Sequence, residues 1–473
     1  MDSPLPPDLR VLTLNCWGLK YISKLRPERL VEIGRRIASQ PQPPHVVALQ
    51  ECWVSSDYEA IRAEVSSTLP HGKFYHSGPF GAGLAILSRW PIEESDMHPY
   101  PLNGRPTAFW RGDWYVGKGI AFAKIRITLS SGREQVLSVF NTHTHAPYTE
   151  GQPDDSYLAH RLSQSWEMSK LLRGAAERGH LVLGLGDFNM RPLSLPHRII
   201  TAHAPVLDAW RVLHPDSSLG ASADPLEKPR GRPVPTAEFN LLENGATSDG
   251  SYNTWRWPAE KQKLLGEGRD HITVDPDTPD PKGKRLDYVF FGGDGGGGTG
   301  WAVRDARVGM VEPHPKLGCS LSDHFSVEAT LAYRGPGEAD KNSNKSAQVE
   351  SVNPPSNASL DSATYDEILS VTRRYVQREE KQRYWRGLHF SAWLAVWVGC
   401  LVGVWFSPHN FVAFILMLLS SLGLVAGVID GLMSLLFFNS ELRALKEFEW
   451  EISNAKAMAR RGSAASGEGE KPL

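Results

Sequence analysis

The chain has 473 residues, a formal net charge of −2 at neutral pH and an ordinary share of apolar and charged side chains. That length supports a sizeable core and more than one structural unit, while the near-neutral balance argues against a nucleic-acid binder, which carries a basic excess. Cys16, Cys52, Cys319 and Cys400 lack CxxC spacing, so neither a zinc site nor a disulfide framework is expected, and a reducing compartment fits.

Residues 1–8 are proline-rich and acidic with no apolar stretch, so no signal peptide is expected. Residues 10–15 alternate as a strand that ends in Asn15 and a glycine turn. Leu30, Ile33 and Ile37 then recur at helical spacing, and Pro41 stops that helix. A buried strand over 45–50 runs into Glu51, a second helix covers 58–69, and a third strand covers 83–88. Segments 119–129 and 135–141 alternate as neighbouring strands, the second leading to His143 and His145. A long helix is expected over 155–173.

Residues 181–186 are apolar or glycine and stop abruptly at Asp187, with Asn189 two positions on. So short a run reads as a strand buried on both faces. In extended chain, i and i+2 point the same way, so Asp187 and Asn189 are expected to present two oxygens to one ion or phosphate. Asp208-Ala-Trp210 follows in a loop return, where packing is the simpler role. From 211 to 284 the pattern gives way to Pro, Gly and charge, a loop-rich insertion. A strand over 285–291 and a strand pair around 321–327 complete the first unit, residues 1–334.

Residues 335–364 are poor in apolar side chains and read as a disordered linker. A basic juxtamembrane helix is expected over 365–387, with Arg373, Arg374, Arg378, Lys381, Arg383 and Arg386. Residues 388–406 and 411–429 then carry no formal charge, and at about 1.5 Å per residue each run spans roughly 28 Å, the thickness of a hydrocarbon core. With a tight turn at 407–410 they form a transmembrane hairpin, its second helix extending to 438 and followed by a cytosolic tail over 439–473. Two spans return the chain to its starting side. The turn lacks Lys and Arg, so both ends are expected in the cytosol, on the endoplasmic reticulum or another intracellular membrane, with Asp430 at the cytosolic border. The basic cluster is expected to attract anionic phospholipid as an activator.

Six expected strands thus end in Asn15, Glu51, His143, Asp187 with Asn189, Asp287, and Asp323 with His324. Singly, each has an ordinary explanation: a turn, a surface carboxylate, a helix cap. Jointly they describe a hard-oxygen site suited to Mg²⁺, or Mn²⁺ in its place, beside two histidines able to move protons near neutral pH. Such a set suits hydrolysis at phosphorus by water.

The segments Asn15-Cys-Trp-Gly18, Leu49-Gln-Glu51, Asn141-Thr-His143, Gly186-Asp-Phe-Asn189, Arg285-Leu-Asp-Tyr288 and Ser322-Asp-His324 resemble the endonuclease/exonuclease/phosphatase superfamily. Gly112-Asp-Trp-Tyr-Val-Gly-Lys-Gly119 and Tyr157-Leu-Ala-His-Arg161 narrow the likeness to Mg²⁺-dependent neutral sphingomyelinases and inositol phosphosphingolipid phospholipases C. The resemblance implies an α/β fold, a four-layer α/β/β/α sandwich of DNase-like type, ahead of the hairpin. It implies Glu51, with Asn15, as holder of Mg²⁺, and Asp187 and Asn189 as groups positioning water and a phosphoryl oxygen. His324 becomes the general base, oriented by Asp287 or Asp323, and His143 the proton donor to the leaving group, with His145 ranked lower. Lys118 resembles a phosphate-binding lysine anchored on an aspartate, here Asp113, and Asn253 a phosphate contact. The implied activity is cleavage of a phosphosphingolipid to ceramide and a phosphorylated head group, without nucleic acid as partner. An inositol polyphosphate phosphatase or a nuclease of the same fold is the alternative.

Overall fold

The computed structural model describes residues 8–108, 111–129, 132–148, 155, 157–267, 269, 272–293, 300–334 and 360–467. It divides into two compact units: residues 1–103 with 111–359, and residues 104–110 with 360–473. The linker expected over 335–364 lies, up to residue 359, outside the described residues.

In the first unit the strands are β1 (Asp8–Asn15), β2 (Val46–Gln50), β3 (His71–Phe74), β4 (Ala85–Ser88), β5 (Ile92–Pro99), β6 (Gly119–Thr128), β7 (Glu134–His143), β8 (Leu181–Asp187), β9 (Leu207–Asp208), β10 (Asp287–Gly292), β11 (Gly300–Gly309) and β12 (Ser326–Arg334). The helices are α1 (Arg26–Ala38), α2 (Ser55–Val65), α3 (Leu158–Glu177), α4 (Leu195–His203) and the short α5 (Ala209–Leu213), α6 (Ala237–Leu242) and α7 (Ala259–Gln262). One sheet runs β11-β12-β1-β2-β4-β3 and the other β5-β6-β7-β8-β10-β9. In each, a central parallel pair, β1 with β2 or β7 with β8, is flanked by antiparallel neighbours.

Alternation along the strands assigns their faces. Leu9 and Val11 of β1, Val46 and Ala48 of β2, Leu137 and Val139 of β7, and Leu181, Leu183 and Leu185 of β8 share the core between the sheets. The opposite faces turn outward: Leu12, Leu14, Val47 and Leu49 meet Leu30, Ile33 and Ile37 of α1 and Ile61 and Val65 of α2. On the other side Phe140, Val182 and Phe290 pack with Met168, Leu172 and Ala175 of α3 and Ile200 of α4. These are the four layers expected, α/β/β/α. Gly186 has φ of +147°, and a Cβ there would lie 2.0 Å from the Thr142 carbonyl oxygen, so only glycine lets β8 pass β7 at this point.

Three expectations need correction. The strand pair around 321–327 is a single strand beginning at Ser326, and its antiparallel partner is the earlier β11, because a glycine-rich stretch hid the register of 300–309. Asp287 opens β10 instead of closing a strand, and His324 precedes β12. Both strands run antiparallel to their central neighbours, so their N-terminal ends reach the same rim as the C-terminal ends of β1 and β8. The strands β3 and β5 went unforeseen, for neither has apolar alternation, and β5 is largely exposed.

In the second unit the basic segment and the first apolar run form one 43-residue helix, α8 (Ser362–Val404). α9 (Asn410–Leu432) packs against it, continues through one π-helical turn at Met433–Phe437, and becomes α10 (Phe438–Gly467), so the expected tail is largely helical. The two long helices are apolar enough to cross a membrane, and their apolar windows are 6% and 17% buried. Arg386 and His389 of α8 both pair with Asp430 of α9.

Candidate active site

The rim where β1, β2, β7 and β8 end, and where β10 and β12 begin, gathers the site residues. Its footing is a buried bond between the sheets: Gln50 donates to Asn141 Oδ1 at 2.7 Å, and Asn141 in turn donates to the carbonyls of Leu49 and Ala85. Glu51 follows directly, in the left-handed region with φ of +52°, an uncommon backbone state for a non-glycine residue that tends to mark function.

Asn15 bridges two carboxylates. Its Nδ2 donates to Glu51 Oε1 at 3.1 Å and to Asp187 Oδ2 at 3.0 Å. Its oxygen accepts from the Trp17 amide at 3.0 Å, which fixes the amide orientation. Asn15 therefore offers hydrogens to both carboxylates. Glu51 Oε2 is buried without a partner. Burial and the nearby Asp323 push the Glu51 carboxyl up to about 7, and burial pushes Asp187 up to about 6. Two buried carboxylates so short of compensating charge, one with an unused oxygen, form a hard-oxygen donor set that a divalent cation fits.

His324 settles against this pair. Its Nδ1 lies 2.9 Å from Asp287 Oδ2 and 3.9 Å from Asp187 Oδ2. Of the two aspartates considered as its partner, Asp287 occupies the position. Asp323 points to Arg256 at 3.6 Å. Ser322 holds the segment, donating to the Asn15 carbonyl at 2.5 Å and accepting from the His324 amide. Burial alone lowers the His324 pKa, but Asp287 and Asp187 outweigh it and raise the imidazole well above its ordinary value. Asp187, Asp287 and His324 place one ligand atom each within 4.8 Å of one another.

Across from it, His143 Nε2 stands 3.6 Å from Asp187 Oδ2 and 3.4 Å from Lys118 Nζ. Burial first and Lys118 second push His143 well below its usual value, so its ring is neutral. Lys118 is buried, bonded to the Thr144 carbonyl and paired with Asp113, each at 3.0 Å. Against the upward push of burial, Lys118 and His145 hold the Asp113 carboxyl well below the carboxylate range.

The remaining candidates support this cluster from its margin, the Asn189 amide donating to Asp187 Oδ1 at 2.9 Å. Asn189 donates from Nδ2 to the Thr144 carbonyl, and its backbone turns left-handed at φ of +43°, ending the i, i+2 alignment with Asp187. Asn253 spends its side chain on the Ser322 carbonyl and the Trp255 amide. These bonds shape the loop before His324. His145 stacks on Tyr157 at 4.4 Å and faces Asp113. Two participants escaped the sequence reading: Tyr148, whose hydroxyl donates to Asp113 at 2.6 Å, and Arg256 beside Asp323. Neither sits in a patterned strand end: Tyr148 lies in a turn and Arg256 closes the 3₁₀ turn Thr254–Arg256.

The profile of the endonuclease/exonuclease/phosphatase family matches residues 12–324, from β1 to the His324 that faces Asp287. The chain belongs to the endonuclease/exonuclease/phosphatase family. Within that family it is 38% identical over 456 residues to the inositol phosphosphingolipids phospholipase C of Schizosaccharomyces pombe, covering 96% of both chains. It is 33% identical to the protein of the same name in Saccharomyces cerevisiae, over 96% of this chain and 91% of that one. Human sphingomyelin phosphodiesterase 2 is 30% identical over 69% of this chain and 65% of its own length. The two fungal relatives extend through the C-terminal helices, and this family member is a phosphodiester hydrolase of their type.

Proposed function

We propose that the chain is a membrane-anchored, Mg²⁺-dependent phospholipase C that cleaves a phosphosphingolipid to ceramide and a phosphorylated head group. The observation that carries this reading is the pair of histidines on either side of Asp187: His324 with Asp287 behind it, and His143 with Lys118 beside it. With Nδ1 held against Asp287, His324 keeps its proton there and presents the Nε2 lone pair to a water. The imidazolium that forms is stabilised by Asp287 and Asp187. His143, neutral and unpartnered at Nδ1, and the Lys118 ammonium donate hydrogen bonds where charge develops on the phosphoryl and leaving oxygens. The departing ceramide oxygen takes up a proton, and His143 is the residue we assign to relay it from solvent. Glu51 and Asp187 are the residues to hold Mg²⁺, which when bound supplies positive charge to a phosphoryl oxygen and to the attacking water.

Likeness to two phosphosphingolipid phospholipases C along nearly the whole chain favours this substrate class over phosphoinositides and DNA. The anchoring rests on the two apolar helices, with both chain ends cytosolic and the turn near Pro408 opposite. Purified protein with Mg²⁺ should release ceramide from inositol phosphosphingolipid or sphingomyelin. Release of inorganic phosphate from a phosphoinositide, or nicking of DNA with the sphingolipids untouched, would replace the reading.

A further inference from the structure

Three large apolar side chains are the most exposed of the described residues in the catalytic unit: Tyr21 at 91%, Ile22 at 69% and Phe80 at 65%. Scattered singly, such residues need no explanation. These three sit on two loops that grip the same peptide. Gly18, at the start of the first loop, donates its amide to the Glu51 carbonyl at 3.0 Å, and a Cβ on it would lie 2.3 Å from that oxygen. Gly83, closing the second loop, accepts from the Cys52 amide at 3.0 Å. The Glu51–Cys52 peptide therefore has one apolar-tipped loop bonded to each end.

Both loops are held in place. The first begins at Trp17 and ends at Leu25, each in the left-handed region, with φ of +46° and +51°. Trp17 packs on Trp255 at 4.9 Å, with the buried Arg29 guanidinium 4.8 Å from the Trp17 ring. Arg29 donates to the Cys16 and Trp17 carbonyls and to Leu321. The second loop is tied to the Lys118 turn, where Gly117 donates to the Gly81 carbonyl at 2.9 Å. Rigid loops that keep a tyrosine, an isoleucine and a phenylalanine in water are organised for a surface that accepts them. Lys20 and Lys24, both exposed, flank Tyr21 and Ile22. Aromatic and branched apolar tips between lysines suit the interface of a bilayer carrying anionic lipid.

We propose that the loops at 19–25 and 78–81 are an interfacial anchor that seats the rim of the active site, around Glu51, in the lipid surface. This rests on the reading of the substrate as a membrane lipid. Ceramide stays in the bilayer, so the scissile phosphate is reached at the head-group level, where Tyr21, Ile22 and Phe80 insert.

Two measurements test the anchor. All four cysteines are buried, so an environment-sensitive dye attached to Ile22→Cys labels one surface position of the full chain. In phosphatidylcholine–phosphatidylserine proteoliposomes its emission should shift to the blue and be quenched by brominated lipid, while the same dye at Leu242→Cys, exposed on α6, stays water-like. The Tyr21→Ser/Ile22→Ser/Phe80→Ser variant should lose about tenfold or more in turnover on vesicles, the loss of roughly one interfacial side chain's contribution, and keep its turnover on substrate in detergent micelles. A water-like signal at position 22 in the bilayer overturns the anchor whether or not the protein hydrolyses sphingolipid. A blue shift that grows with protein concentration in lipid-free detergent points to a second copy of the chain and overturns it too. Absence of sphingolipid hydrolysis with an intact dye shift would instead count against the substrate reading.

Discussion

His324 Nδ1 lies 2.9 Å from Asp287 Oδ2, a bond between a residue two positions before β12 and the first residue of β10, 37 positions apart in the chain. That contact fixes the tautomer of the ring and holds a proton on it by charge. A general base must be unprotonated, and a raised imidazole pKa delays that state, so kcat/KM should rise with pH through a limb above the ordinary histidine range. Asp287→Asn removes the largest of the carboxylate effects that raise the pKa, so the limb moves to lower pH while the plateau falls by about 10²–10⁴-fold. A limb that stays in place would separate His324 from the pH profile.

Glu51 gives a stability signature in the metal-free protein. Its folded pKa of about 7 lies above its unfolded carboxylate value, so the folded state holds the extra proton between them. Stability then falls as pH rises from about 5 to about 8. Mg²⁺ should restore the melting temperature at the upper end, and Glu51→Gln should flatten the pH slope while abolishing turnover. Full activity in excess EDTA would contradict the role of this carboxylate.

Asp208 illustrates a buried charge that serves the fold. It accepts two bonds from Arg285, at 3.0 and 2.8 Å, caps α5 and contacts His197, all in the interior. Asp208→Ala leaves the Arg285 charge buried and unpaired, so a loss of about 3–5 kcal/mol is expected. Trp210→Ala, beside it and 2% exposed, should cost a similar amount, about 3–5 kcal/mol. Chemical denaturation checks both, and the folded fraction should retain turnover per molecule.

The basic residues of α8 divide into two sets. Arg373, Arg378 and Arg386 pair with Glu449, Glu379 and Asp430. Among the described residues the Arg383 guanidinium bonds to the neutral Asn439, and no carboxylate partner appears for Arg374 or Lys381. Replacing Arg374, Lys381 and Arg383 by Gln should weaken the response to anionic vesicles, at about 1 kcal/mol of attraction per residue, with micellar turnover unchanged. Arg386→Gln should instead loosen the helix pair, seen as faster proteolysis between α8 and α9.

Much of this arrangement was readable from residues alone because strand ends are marked twice, by apolar runs and by the polar residue that stops them. Asn15, Glu51, His143 and Asp187 all fell to that rule. Asp287 and His324 were named for the right rim but the wrong end of their strands, since periodicity carries no direction. The side-chain partners of Asn189 and Asn253 are not legible in the same way. Their destinations depend on a left-handed residue and a loop carbonyl, neither of which leaves a pattern in sequence. The choice between Asp287 and Asp323 depended on the fold, because Asp287 is 37 positions from His324 and reaches the ring through the pairing of β10 with β8.

The Gln50–Asn141 bond has a consequence for how such a scaffold diversifies. It ties the strand leading to Glu51 to the strand leading to His143, so the opposite walls of the cleft are set at a constant gap. Shearing one sheet over the other would break a buried amide pair that has no water to replace it. Loops around the rim can therefore be exchanged while the groups at the floor of the cleft keep the same spacing.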